Sequence, residues 1–270
     1  MTTDTAAGSF DNGARVRGAQ AIPRQQPDAG DAFAAQPDRT PERPNIVAGL
    51  FIFSDRFNTR DVRTMDFALT LLVVAVAWHM LRMRYQRARI SLLGRHLANM
   101  KLERHMETLT QGYTRAIHED SESRQLQVLD TFTQTENVVA ANVQTLADAM
   151  QKESARDTAM GPFAFCVPYV ERVAPEAALR DFRALLHIHA TGLRAVIAND
   201  AGLDPKTRAF HIAAELYLLQ HSCHWFCKSR AVADARLLMR HKVDHKKVIE
   251  SVSPATRAAY TQWVENTAAR

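Results

Sequence analysis

Residues 67–81 read FALTLLVVAVAWHML, fifteen positions without a formal charge, bounded by Asp66 and Arg82. At 1.5 Å per residue such a helix covers roughly 22 Å, whereas a hydrocarbon core of about 30 Å asks for some 20 residues. The run alone is short for a membrane span. Its flanks lengthen it: the stretch from Met65 to Tyr85 places Trp78, His79 and Tyr85 near an interface, and Arg82 and Arg84 have stems long enough to carry their charges into headgroups. The run therefore reads either as a transmembrane helix over residues 65–85 or as a buried helix of a soluble bundle or oligomer. The arginine cluster that follows favours the membrane.

That cluster, Arg82, Arg84, Arg87, Arg89 and Arg95, reads as a lipid-facing basic group. It outnumbers Arg56, Arg60 and Arg63 on the other flank, so the positive-inside rule gives a single-pass protein with its C-terminal side in the cytoplasm. Three cysteines, Cys166, Cys223 and Cys227, are an odd number without a secretory signal before them, which fits reduced thiols in that compartment.

Working outward from the apolar run, residues 1–44 are Ala, Asp, Gln, Arg, Gly and Pro with hardly a large apolar side chain, a composition expected to stay disordered. Residues 45–64 form a juxtamembrane segment whose short run Ile46–Phe53 reads as a brief strand or an interfacial stretch. All ten prolines lie outside Asn45–Gly161, and helix is the simplest account of that interval. The expected fold class is all-α.

Residues 86–158 read as a helical stalk. Leu129, Phe132, Glu136, Val139, Val143, Leu146 and Met150 alternate spacings of three and four, a heptad seam with one acidic interruption. Leu102, Met106, Leu109, Tyr113 and Ala116 make a second seam out of phase with it, and DSESRQLQ at 120–127 reads as a stutter or a turn between arms. The seams fit a homo-oligomeric coiled coil, or two amphipathic helices packed on the C-terminal domain. Charge is striped: 82–104 is basic, 105–157 is acidic, and 206–247 is basic again.

Residues 162–270 read as a C-terminal helical domain of about three helices. Pro175 and Glu176 open the first, Asp204 and Pro205 the second, and Ser253 and Pro254 the third; the second is expected to run to about Arg240. On these helices His189, His221, Cys223, His224 and Cys227 are the candidate metal ligands, because HSCHWFC at 221–227 sets both pairs one helical turn apart. Zinc would take imidazole and thiolate, with Cys166 a further donor; haem would need one or two imidazoles. The competing reading is packing: a cysteine on a buried stripe and a histidine with a backbone partner are ordinary. HKVDH at 241–245 and the pair His211 and Glu215 are weaker signals, a solvated face and a surface hydrogen bond being the simpler accounts.

The basic residues of 228–247 suit lipid headgroups, phosphate backbones or the protein's own acidic stretch, but no nucleic-acid motif accompanies them. No P-loop, nucleophile elbow, dinucleotide fingerprint or HExxH occurs, so no enzyme and no cofactor are expected, zinc or haem being the alternative. The expectation is a membrane-anchored helical scaffold or interaction protein whose partners are membrane lipid, a second copy of itself and another protein.

Overall fold

The computed structural model describes residues 59–265; the expectations for the tail and most of the juxtamembrane segment lie outside the described residues. Ten helices are present among them: α1 (Thr59–Leu97), α2 (Leu102–Ile117), α3 (Glu122–Asp130), α4 (Thr133–Gln151), α5 (Ala155–Thr158), α6 (Phe182–Ala198), α7 (Pro205–Cys227), α8 (Arg230–His241), α9 (His245–Ser251) and α10 (Pro254–Glu265). A two-residue antiparallel ladder joins β1 (Ala159–Met160) to β2 (Arg180–Asp181), pairing Ala159 with Asp181 and Met160 with Arg180.

α1 is a single helix of 39 residues that changes character along its length. From Thr64 to Leu81 every side chain is exposed, Leu72 at 60% and Val76 at 50%. No residue of its most apolar 18-residue stretch, of mean hydropathy 1.7, is buried, and the helix is long and apolar enough to cross a membrane. At Tyr85 burial begins, and Tyr85, Gln86, Arg89, Leu92 and Leu93 follow the one-face spacing of a helix laid on a core.

The helix continues through the arginines as expected but stops at Leu97, and the turn ends on Lys101 at φ 47°. The stalk of 86–158 is thus not one rod: it is the end of α1 followed by α2 to α5, folded onto the rest of the chain. Both predicted seams point inward. Leu102, Leu109, Tyr113 and Ala116 of α2, and Leu129, Val139, Val143, Leu146 and Met150 of α3 and α4, are buried in the same core as Phe182, Leu186, Leu193, Ile212, Leu216 and Phe226. The stripe finds its apolar partner inside the chain, chiefly on α6, which α4 packs against most extensively. The turn falls at 118–121, between the end of α2 at Ile117 and the start of α3 at Glu122, so only the first two residues of the 120–127 segment belong to it and the rest are helical.

The acidic interruption of the seam, Glu136, is also buried. Arg208 Nη1 lies 2.8 Å from its Oε2 and Tyr113 Oη donates to its Oε1 at 2.6 Å. A carboxylate removed from water needs such partners, and the two of them reach it from α7 and α2.

The C-terminal region differs from the expected three helices. α6 starts at Phe182, capped by Asp181, because 179–181 is extended to form the ladder, and Pro175 opens only one turn of 3-10 helix over Glu176–Ala178. Asp204 caps α7 as expected, accepting from the amides of Lys206 and Thr207. The long middle helix is broken twice. Lys228 leaves helical geometry and Ser229 caps α8 through the Val232 amide, while Lys242 turns left-handed at φ 56° and Asp244 caps α9 through the Lys247 amide. Both breaks are short polar residues offering an oxygen to the orphan amides of the next helix. Ser253 caps α10, its Oγ accepting from the Thr256 amide.

Candidate functional site

α7 is the hub of the fold, packed by α1, α2, α3, α6, α8 and α9. Its buried face is mainly apolar, so polar side chains leaving it must find partners on the neighbouring helices. His221 does so toward α8 and α9. Its Nε2 stands 2.7 Å from Asp234 Oδ1, and its ring lies on that of His245 with centroids 3.9 Å apart and 14° between planes. His245 Nδ1 is 3.9 Å from the same Asp234 oxygen, and its Nε2 is 3.1 Å from Tyr260 Oη. Four helices thus contribute one group each. One ligand atom from each of His221, Asp234 and His245 lies within 4.8 Å of the other two.

The breaks described above produce this convergence. A continuous helix through 228–241 would carry Asp234 along the line of α7; the Ser229 cap redirects it back over His221, and the turn at Lys242 returns His245 to the same place. Burial holds the His221 imidazole down to about 3, with Arg230 and His224 adding repulsion, although the Asp234 carboxylate pulls the other way. His245 is likewise depressed to about 3, first by burial and then by His221. Both rings are neutral near pH 7, with lone pairs available.

The other expected ligands do not join this centre. His189, on α6, is buried, and its Nε2 bonds Ser222 Oγ at 2.9 Å. Burial and the neighbouring His221 lower its pKa to about 3. Cys223, His224 and Cys227 face away from His221, along a groove walled by Ile90, Leu93, Leu97 and Leu102. Burial pushes both thiols up, Cys227 to about 11, so they are protonated and pack as small apolar groups. His224 Nδ1 meets Arg236 Nη1 at 3.4 Å. The spacing that put both pairs on one turn holds, but α7 turns them toward two different sides.

The weaker signals resolve separately. HKVDH is not one helical face: His241 bonds Gln220 Oε1 at 2.8 Å, Asp244 serves as a cap, and only His245 reaches the centre. His211 bonds the Ser251 carbonyl, whereas Glu215 is buried and accepts from the Ser253 amide and hydroxyl, so the two do not pair. Arg240 pairs with Glu107 at 3.3 Å and lies 3.7 Å from Glu103, so part of the basic stretch neutralises the protein's own acids.

The basic cluster of α1 also divides. Arg84, Arg87 and Arg95 are exposed and Arg82 partly so, but Arg89 is buried: its guanidinium donates to the Phe226 carbonyl at 3.1 Å and to the Ala159 carbonyl, between the rings of Tyr85 and Phe226. Arg89 is a clamp between α1, α7 and β1, not a lipid contact. Near it, Phe163 and Phe165 stack with centroids 5.5 Å apart, largely exposed, and line one cleft with Tyr85 and Arg89.

Asp234 and Tyr260 were not legible as site residues. Nothing in their spacing links them to His221; only the cap residues Ser229 and Asp244, read as helix starts, would have broken the middle helix and brought α8 and α9 back across α7. Compared with known proteins, the sequence matches no family model, no curated protein and no solved structure.

Proposed function

We propose that the protein is a single-pass, membrane-anchored helical interaction protein, in which α1 crosses the bilayer between about Thr64 and Arg84 and holds residues 85–265 at the cytoplasmic face to meet a protein partner. The role is anchoring and binding, without turnover. The observation that carries it is the bare apolar half of α1: Met65, Phe67, Leu69, Leu71, Leu72, Val73, Val74 and Val76 are exposed on every side of the helix. Moving a side chain of that size out of water is worth roughly 1.5–3 kcal/mol, and an apolar helix uncovered all round needs a solvent other than water.

The length agrees. Twenty residues from Met65 to Arg84 span roughly 30 Å, the thickness of a hydrocarbon core. Arg82, Arg84 and Arg87 then stand at one headgroup layer, which orients the domain inward. The exposed pair Phe163 and Phe165 sits beside Tyr85, the first buried residue beyond the span, and this places two aromatic rings where a domain resting on the bilayer would dip them.

A homo-oligomer through the heptad seam has lost its surface, since those residues are buried within one chain. Association of two copies falls instead to the anchor helices within the bilayer. Nucleic acid remains disfavoured, because Arg240, Arg236 and Lys228 are engaged by Glu107, His224 and Gln86.

The test is fractionation of the full chain. The protein is expected to stay in the membrane pellet through an alkaline carbonate wash, and residues 85–265 to be protected from protease in sealed right-side-out vesicles. Release by carbonate sinks the anchoring; digestion in the sealed vesicles sinks the orientation.

A further inference from the structure

We propose that His221, Asp234 and His245 form a binding site for one divalent transition-metal ion of the zinc type, with Tyr260 supporting it from behind. Three consecutive helices, α7, α8 and α9, meet here through two nitrogen donors and one oxygen donor, all within 4.8 Å of one another. Two imidazoles and a carboxylate with a remaining open position is a ligand set for zinc or a neighbouring first-row ion.

The distances are near those the ion requires. Ligand atoms about 2.0–2.2 Å from a tetrahedral zinc stand about 3.3 Å apart. The His221 to Asp234 contact of 2.7 Å must open and the His245 to Asp234 contact of 3.9 Å must close, each by about 0.6 Å, within reach of side-chain rotation. The stacked rings set both imidazole edges near the same carboxylate oxygen, and each ring must tilt out of the stack to aim its in-plane lone pair at a shared ion.

The surroundings fit as well. A histidine that binds through Nδ1 carries its proton on Nε2, and Tyr260 Oη is 3.1 Å from the Nε2 of His245, placed to accept it and fix the ring. Asp234, with 44% of its side chain exposed, gives the ion an entrance and a fourth position open to water, while the His221 side chain is fully covered. Arg230 is the opposing charge nearby, held over the Trp225 ring at 5.5 Å.

This inference concerns the folded domain and stands whether or not α1 crosses a bilayer. The experiment uses the full chain in detergent micelles, freed of metal and titrated with Zn2+ against a chromophoric chelator near pH 7.5. One equivalent is expected to bind and to raise the thermal midpoint. His245→Gln is expected to weaken binding at least 100-fold, and Asp234→Asn, which keeps the side chain's size and an oxygen acceptor at a half-exposed position, at least 10-fold. The double variant C223S and C227S is expected to bind as the parent does. No bound equivalent overturns the site, as does binding that survives both Asp234→Asn and His245→Gln. Binding abolished by the cysteine variant assigns the ion to the α1 groove and equally overturns it.

Discussion

The two halves of α1 are one uninterrupted helix with opposite relations between hydropathy and burial. From Thr64 to Leu81 it is almost purely apolar and wholly exposed; from Tyr85 to Leu97 it carries Gln86, Arg87, Arg89 and Arg95 and yet buries a face, two of those polar residues included. In the first half no side chain is buried among the described residues, so their environment is set largely by what surrounds the helix. In the second, polarity is tolerated because the partners are built in: Arg89 serves two carbonyls and Gln86 bonds Lys228. Hydropathy therefore reports the solvent of the first half and says little about the second, where the pattern of spacing carries the information.

The largest effect that would break this comparison is charge in the exposed half. Leu72→Arg with Val76→Arg is expected to cost about 5–7 kcal/mol of insertion at about 2.5–3.5 kcal/mol per central arginine, and to move the protein out of the membrane pellet. Unchanged pelleting would show that the bare half is not in lipid. Next comes the packed region beyond Tyr85, where Glu136→Ala leaves the half-buried Arg208 without its carboxylate and Tyr113 without its acceptor. A loss of about 3–5 kcal/mol in denaturant unfolding of the detergent-solubilised protein is expected, with no change in pelleting.

Within the second half, neighbouring arginines should separate. Arg89→Ala strips the Phe226 and Ala159 carbonyls of their donor and is expected to destabilise by about 2–4 kcal/mol, while Arg87→Ala stays within about 0.5 kcal/mol by the same unfolding measurement. Equal effects would mean that Arg89 is not a clamp. The most gradual effect is from acid, spread over several pH units. His189 is held at about 3 in the folded protein against an ordinary 6.5, so between those values the unfolded chain binds the extra proton. Stability is complete above pH 6.5 and falls by about 1.4 kcal/mol per unit as pH drops through this window. His189→Asn should remove that much of the slope, and carbonate-resistant pelleting should show none of it.

Much of this architecture was readable. The apolar run, the seams, the caps at Asp204 and Ser253 and the turn near 120 all rest on local periodicity or local oxygen donors, which the sequence displays directly. What was not readable depended on direction. A heptad stripe on α4 states that an apolar partner is needed, and its period is the same whether that partner is another chain or α6. HSCHWFC states that four donors lie on one short stretch of α7, but which side each faces depends on the helices around it. Arg89 reads as one more cation in a cluster until Tyr85 and Phe226 close over it.

The absence of any hinge in α1 has a mechanical consequence. The helix passes from Thr64 to Leu97 without a proline or a break, and Arg89 fastens it to α7 and to β1 one turn beyond Tyr85. With the anchoring proposed above, it is a lever with its long arm in the bilayer and its short arm fixed to the hub of the domain. A change of bilayer thickness alters the tilt of a spanning helix, and here the torque has no joint in which to dissipate. Thinning or thickening the lipid should therefore rotate the domain as a body against the membrane plane, measurable as a shift in the depth of a label at Phe165, while the His221 to His245 stack stays as it is.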